Sequence, residues 1–582
     1  WDGMGVTDLD AVPQLAEALR RHQYGGIILY AANVQETEQA CRLASALQQN
    51  NAAAEASAHV PYLMCADGEG GVVVRLSMGT RMTGAMAVGA TGESAAQNAR
   101  LTGEILGSEL ASVGVNVDFA PDADVTSNPA NPVIGVRSFG DDPQAVAELA
   151  CAMAEGIGDA GVVPCYKHFP GHGDTGADSH TGTATVEKTL DEMRACELVP
   201  FEAAVTSGAD LIMTAHITCP NLDEEVTFAD GSTGHWPATM SHAILTGILR
   251  EELGYDGVIV TDALVMDAIG AARLVEGEEG SAEYAANVAQ EVLNAGADIL
   301  LCPRNLGSDD DAAFLDDYIG LICRKVEEGR IPQERIDQSV LRVLGLKRAH
   351  GILSLYGADD DLETRVDEAM ALVGSADHHE AEARMARAAV TLVKNEGVLP
   401  LAASGNYVLL VRTADEGALA NYVVEHLRDE GVLADDVSVR NLITGETSGP
   451  SVSTSSLTID YYYDLDEGRA HYTDSLASAV AQADAVVCET TTWGAAALAA
   501  DSPQRQTIEQ VMGDAHEAGA SFVQLSDNLP YDAACYAGAD AQVLAYTNFA
   551  SVTPENTEYL LTDTVGFIRK LPHPLVSAFR ST

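Results

Sequence analysis

The chain has 582 residues, 47% of them hydrophobic and 20% charged, a globular composition too long for one ordinary core, so a large domain plus a second is expected. With 32 Lys and Arg against 87 Asp and Glu, its formal net charge is −55, a surface that repels phosphate backbones and anionic membranes and makes nucleic acid a poor candidate partner. No run approaches the ~20 apolar residues of a membrane span.

From Gly25 to about Pro303, short apolar runs alternate with longer helical patterns. The runs are Ile27–Ala31, Tyr62–Ala66, Val115–Ala120, Val162–Tyr166, Leu211–Ala215, Val258–Thr261 and Ile299–Cys302. Amphipathic stretches such as Ala11–Arg21, Glu93–Val113, Gln144–Ala160 and Met240–Glu252 lie between them. Alternating β and α predicts a parallel sheet clothed in helices. Seven such runs fit a (β/α)8 barrel of the TIM type with one strand unaccounted for, supplied by Met86–Val88 or lying before Trp1. A doubly wound sheet is the alternative. The barrel is favoured because polar residues follow the runs at their C-terminal ends: Asn33, Asp67, Asp122 with Asp124, Lys167 with His168, His216 and Asp262. In a barrel those ends converge on one mouth.

Beyond the barrel, Arg330–Ile352 carries a helical period that ends at Gly351, and an acidic, weakly periodic stretch runs from Ala358 to His379. A helix is expected around Glu380–Val393, followed by a second α/β region with strands near Tyr407–Val411, Ala485–Cys488, Phe522–Leu525 and Val543–Tyr546. Ser448–Ser456 reads as a loop. The expected organisation is a barrel over 1–350, a linker and connecting helix over 351–400, and a smaller α/β sandwich over 401–582.

Ten cysteines lie far apart, with no CxxC pair, and read as buried hydrophobes rather than zinc ligands or a disulfide framework. That favours a cytoplasmic setting; because the first residue is Trp1, a cell-envelope or secreted location stays open.

The densest chemistry is Lys167–His180, KHFPGHGDTGADSH, which follows a buried strand. Its glycines and proline forbid a regular helix or strand, so it is a loop able to gather polar groups. Asp178 and His180 stand two apart. A carboxylate bonded to one imidazole nitrogen fixes the tautomer and raises the basicity of the other, giving a tunable general acid/base. A metal site built from His168, His172, Asp174, Asp178 and His180 competes, but the spacing matches no metal motif and Lys167 opposes a dication. No metal or cofactor is expected. Asp262, closing the run VIVTD, is a nucleophile, a metal ligand or a helix cap.

These residues resemble the family 3 glycoside hydrolases, specifically the two-domain β-N-acetylglucosaminidase branch, whose signature reads KHFPGHGDT…DSH. The likeness continues in Asp67-Gly-Glu-Gly-Gly with Arg75, in Asn116–Asp124, in Ile134-Gly-Val-Arg137-Ser-Phe, in Met213–His216 and in Gly254–Asp262. Arg330–Gly351 and Lys394–Leu401 resemble the family's interdomain linker. The resemblance implies that Asp262 attacks the anomeric carbon and that His180, oriented by Asp178, acts as acid/base. It also implies that Asp67, Arg75, Arg137, Lys167, His168 and His216 hold the sugar. It places the first barrel strand before Trp1, so that seven are expected here. The implied activity is retaining, exo-acting hydrolysis of terminal β-linked GlcNAc in peptidoglycan fragments or other glycans, by a monomer or homodimer. A β-N-acetylglucosaminide phosphorylase, a metal-dependent hydrolase and a catalytically silent sugar-binding protein are the alternatives. Within the loop, Pro170–Gly176 is expected to be a hinge and Asp178–His180 a mobile element, swung away from Asp262 without ligand.

Overall fold

Short runs of Val, Ile, Leu and Met form the parallel strands that position the site: β1 (Gly26–Ile28), β2 (Leu63–Ala66), β3 (Val117–Asp118), β4 (Tyr166–Phe169), β5 (Leu211–Thr214) and β6 (Val258–Thr261). The computed structural model describes residues 5–22, 24–54, 60–180, 182–354, 362–401, 405–410, 438–442, 447–448, 457–462, 472–492, 498–526 and 528–546. It divides into two units, Trp1–Ala85 with Glu93–Glu380, and Met86–Gly92 with Ala381–Thr582.

In the first unit β1, β2 and β3 pair in parallel, and β3 pairs with Val163–Pro164 just ahead of β4. Strands β4, β5 and β6 form a second parallel set, joined to the first by the bridge Asp122–Lys167 and extended by the bridge Val260–Ile299. Counting Ile299, seven strand positions run round the ring among the described residues, as the apolar runs predict.

Side chains alternate across each strand, so one set fills the barrel: Leu63 and Cys65, Val117 and Phe119, Leu211 and Met213, Val258 and Val260 share one core. Their neighbours Tyr62, Met64 and Ala66 pack outward against the helices. Burial on both faces explains why these runs are almost wholly apolar.

Two of the outer helices are α1 (Ala95–Ser112) and α2 (Pro143–Asp159). Helix α2 begins where Asp142 accepts from the amides of Gln144 and Ala145, with Pro143 in the first turn. A Cβ on Gly103 would lie 2.1 Å from Met153 O, and one on Gly156 2.0 Å from Arg100 O, so α1 and α2 approach only because both carry glycine there.

A cavity of about 670 Å³ lies between β1 and Ile299–Pro303, lined by apolar side chains such as Ile27, Leu29, Leu301 and Val343. No pairing joins β1 to Ile299 among the described residues, so this is the place in the ring where an eighth strand would sit. Met86–Val88 does not supply it. That stretch lies in a short helix, Ala85–Gly89, as its alanines and methionine favour.

Among the described residues the second unit holds one eight-stranded sheet. Its order is Thr391–Asn395, Ala541–Leu544, Ser521–Ser526, Ala485–Thr490, Gly405–Leu410, Leu457–Tyr462, Ser438–Asn441 and Thr447–Ser448. The central pairings are parallel and the two outermost antiparallel. The expected helix over Glu380–Val393 is a helix only over Ala376–Ala389; Thr391–Asn395 is an edge strand. Asp474–Val480 and Pro503–Ala518 pack on the sheet through a separate core around Val486, Ile508 and Phe522. Val411 and residues 449–456, both placed by the sequence reading, lie outside the described residues. The whole is a TIM-type barrel followed by a smaller α/β sandwich.

No helix among the described residues is long and apolar enough to cross a membrane.

Candidate active site

Four of the barrel strands carry polar residues at their carboxyl ends, which face the mouth, where side chains leave the packed interior. Asp67 follows β2, Lys167 and His168 lie in β4, His216 follows β5 and Asp262 follows β6.

One ion network floors the mouth. Lys167 Nζ lies 2.9 Å from Asp67 and 2.5 Å from Glu69. Arg137 donates through Nε and a terminal nitrogen to the two oxygens of Glu69, both at 2.8 Å. Arg75 reaches the other oxygen of Asp67 at 3.2 Å and lies over the Tyr30 ring. Burial opposes charge on Glu69, but Arg137 and Lys167 outweigh it and hold the carboxyl below the usual range. Burial likewise opposes the Lys167 ammonium, and Asp67 and Glu69 reverse that effect. Every long cation here is therefore pinned in one orientation, a rigid array of donors and acceptors suited to sugar hydroxyls.

His168 completes the array. Its Nδ1 bonds Asp124 at 2.7 Å and its Nε2 lies 3.4 Å from Arg137. Burial lowers its pKa to about 4, so at neutral pH the ring is uncharged; with Nδ1–H given to Asp124, Nε2 is an acceptor.

Asp262 accepts from the amide of Ala263 at 2.7 Å. Burial disfavours its charge, yet His216, His168 and that amide outweigh burial and keep the carboxyl below its ordinary value. It is an ionised carboxylate at neutral pH, as a nucleophile requires. His216 differs from expectation. Its Nε2 lies 3.0 Å from Ala263 O and its Nδ1 2.8 Å from Thr239 Oγ1, so both ring nitrogens are taken. It fixes the turn that carries Asp262 rather than offering a nitrogen to a sugar.

His180 is 2.8 Å from Asp178 through Nδ1, and its own amide bonds the same oxygen at 2.8 Å. The hydrogen bond that His180 donates to Asp178 raises the imidazole pKa against the opposing effect of burial. The pair is solvent-facing, with the His180 side chain 43% exposed.

The rest of the loop departs from the expected hinge. Asp124 accepts from the amide of His172 at 2.6 Å, and Asn128 donates to the carbonyls of Asp174 and Thr175, both at 3.2 Å. Lys188 holds Asp174 at 3.1 Å. A Cβ on Gly173 would stand 1.7 Å from Val125 O. Residues 171–173 and Thr175 are buried, so 170–176 is anchored; exposure begins at Gly176 and Ala177. The far end is docked as well, since Ser179 O accepts from the amide of Ala268 at 3.3 Å, on the segment that follows Asp262.

The five-residue metal site does not form. His168 turns to Asp124, His172 to Thr175 and Ser179, Asp174 to Lys188, and Asp178 to His180. Asp122, Asp124 and His168 do bring ligand atoms within 4.8 Å of one another. Arg137 lies 3.5 Å from Asp122 and the His168 nitrogen is committed to Asp124, which disfavours a dication there.

Sequence reasoning missed Glu69 as a site-building residue; it set Asp124 at the mouth without a role, and weighed His172 only as a metal ligand, whereas Asp124 holds His168 and the His172 amide, and His172 bonds Ser179. For Glu69 the signal was present: Asp67 and Glu69 stand two apart, hence on one face if extended, and Gly68–Gly70 is a strand.

A family described as "Glycosyl hydrolase family 3 N terminal domain" matches residues 4–346. Beta-hexosaminidase A of Pseudoalteromonas piscicida is 39% identical over 406 residues, covering 69% of this chain and 64% of that protein. A beta-hexosaminidase of Thiobacillus denitrificans is 35% identical over 301 residues, covering 50% of this chain and 75% of that one. Among solved structures, a glycoside hydrolase family 3 beta-N-acetylglucosaminidase from Paenibacillus sp. superposes with a TM-score of 0.70 at 28% identity, over 97% of this chain and 93% of that one. The residues of the mouth lie within the matched region, and the chain belongs to glycosyl hydrolase family 3.

Proposed function

We propose that this chain is a retaining, exo-acting β-N-acetylglucosaminidase that removes terminal non-reducing β-linked GlcNAc from peptidoglycan fragments or other glycans. The observation that carries the reading is the pairing of two groups: an ionised Asp262 at a strand end, and an Asp178–His180 dyad on a loop docked to the segment after it. The names borne by the relatives support the sugar specificity.

In the first step a carboxylate oxygen of Asp262 attacks the anomeric carbon while the bond to the leaving oxygen breaks. Protonated His180 gives that oxygen its proton. In the second, water attacks the same carbon, neutral His180 takes its proton, and the bond to Asp262 breaks. Two inversions give retention. An imidazole suits the second step because, when neutral, it accepts a proton without a second negative charge beside Asp262. Asp67, Arg75, Arg137, Lys167 and His168 hold the hydroxyls and acetamido group, in a network whose geometry is fixed before the substrate arrives.

The test is turnover of p-nitrophenyl β-GlcNAc, with glucoside and GalNAc analogues alongside. Asp262→Asn is expected to lose about 10³-fold or more in kcat, in line with removal of a covalent nucleophile. Undiminished turnover by that variant would sink the mechanism.

A β-N-acetylglucosaminide phosphorylase is the second reading, favoured by the imidazole acid/base, which lacks the charge that would repel a phosphate acceptor. Phosphate-dependent release of GlcNAc 1-phosphate would select it.

A further inference from the structure

Between the two members of the exposed dyad stands one buried residue, Ser179, only 2% exposed although Asp178 and His180 on either side face solvent. Ser179 is held at two points. Its carbonyl accepts from the Ala268 amide, and its hydroxyl lies 3.0 Å from His172 Nε2.

The protons of this cluster have a consistent assignment. The Thr175 hydroxyl donates to His172 O at 3.0 Å, so its oxygen is the acceptor for His172 Nδ1–H at 2.8 Å and for Asn131 Nδ2 at 3.1 Å. That leaves His172 Nε2 as an acceptor, and the Ser179 hydroxyl donates to it. His172 is 3% exposed, and burial lowers its pKa to about 4, so the ring stays neutral and this pattern holds across the working pH range.

We propose that the His172–Ser179 bond is the pivot that sets the reach of the acid/base dyad, making His172 and Ser179 positioning residues for proton transfer to the leaving group. The loop then moves not at 170–176 but in the peptides on either side of Ser179. The pivot ties those peptides both to the fixed base of the loop, through His172, and to the segment carrying Asp262, through Ala268. The inference rests on His180 being the acid/base.

The test compares leaving groups. A misplaced general acid slows departure of a poor leaving group and spares one that leaves without a proton. For Ser179→Ala, kcat/KM on chitobiose is expected to fall about 10- to 100-fold, the scale of an ångström-level misplacement. On 2,4-dinitrophenyl β-GlcNAc, glycosyl-enzyme formation is expected to change less than about threefold. His172→Phe removes both ring hydrogen bonds and is expected to give the same split. The double variant is expected to lose no more than the worse single one, as two ends of one bond should. Ser179→Ala carries the test by itself should His172→Phe not fold. Equal loss on both substrates, or loss on neither, overturns the pivot. His180→Ala run in parallel separates the two levels. If it is indifferent to the leaving group, the acid/base assignment fails and the pivot falls with it. If it discriminates while Ser179→Ala does not, only the pivot fails.

Discussion

Glu69 and Arg137 meet in a two-point ion pair, both N···O distances 2.8 Å, with the Glu69 side chain 4% exposed and Lys167 closing on the same carboxylate. One anion thus holds two cations in the mouth. Glu69→Gln keeps the shape and removes the charge, leaving Arg137 and Lys167 short of a partner in a buried place. The expected result is a loss of about 3–5 kcal/mol in stability, typical of breaking one side of a buried pair, read from chemical denaturation. A raised KM is expected with it, because Arg137 and Lys167, proposed to hold the sugar, lose their fixed orientation.

Asp178→Asn tests the dyad through pH. Asp178 raises the His180 pKa, and in the proposed mechanism leaving-group protonation needs the imidazolium, so His180 is expected to set the alkaline limb of the kcat/KM profile. Without the carboxylate the His180 pKa falls, and that limb moves to lower pH. The activity at neutral pH is expected to drop about 10²-fold. An unmoved limb would separate Asp178 from the titration.

Asp298 tests whether the two ends of the barrel strands do different work. It precedes the seventh strand position and is fully buried among Arg250 and Arg335, each at 2.5 Å, and Arg342 at 3.3 Å. Residues at that end serve stability rather than chemistry. Asp298→Ala is expected to lower stability by about 3–5 kcal/mol, three part-buried cations losing their buried anion. Asp262→Asn is expected to leave the melting temperature nearly unchanged while abolishing turnover.

Gly173→Ala asks whether the loop base is anchored. The added methyl would meet Val125 O, and backbone cannot retreat as a side chain does. A loss of about 1–3 kcal/mol is expected, together with a fall in kcat larger than that in equally destabilised variants elsewhere, since the dyad hangs from this segment. A silent substitution would revive the hinge.

The strands and the identity of the mouth residues were legible because the parallel strands are continuous apolar runs, four of them with polar residues at the carboxyl end. Asp262, Lys167 and His168 could be placed by that rule alone. Glu69 needed a second signal, its spacing of two from Asp67, and its partner Arg137 lies far off in sequence. The anchored loop base was misread for a local reason: glycines suggest freedom, whereas Gly173 is there so that backbone can touch backbone. Likewise Thr391–Asn395 continues an apolar pattern from the helix before it, and only pairing with Ala541–Leu544 makes it a strand. His216 was expected to bind sugar because the family resemblance implies it; Thr239 and Ala263, which occupy its nitrogens, come from elsewhere in the chain.

The central claim is that Asp262 forms the covalent bond to the sugar. Its most direct measurement is trapping with a slowly released 5-fluoro GlcNAc fluoride, followed by peptide mapping by mass spectrometry. One sugar residue per chain, on the peptide that contains Asp262, is the predicted result. A labelled peptide elsewhere, or inactivation with no covalent adduct, would contradict it.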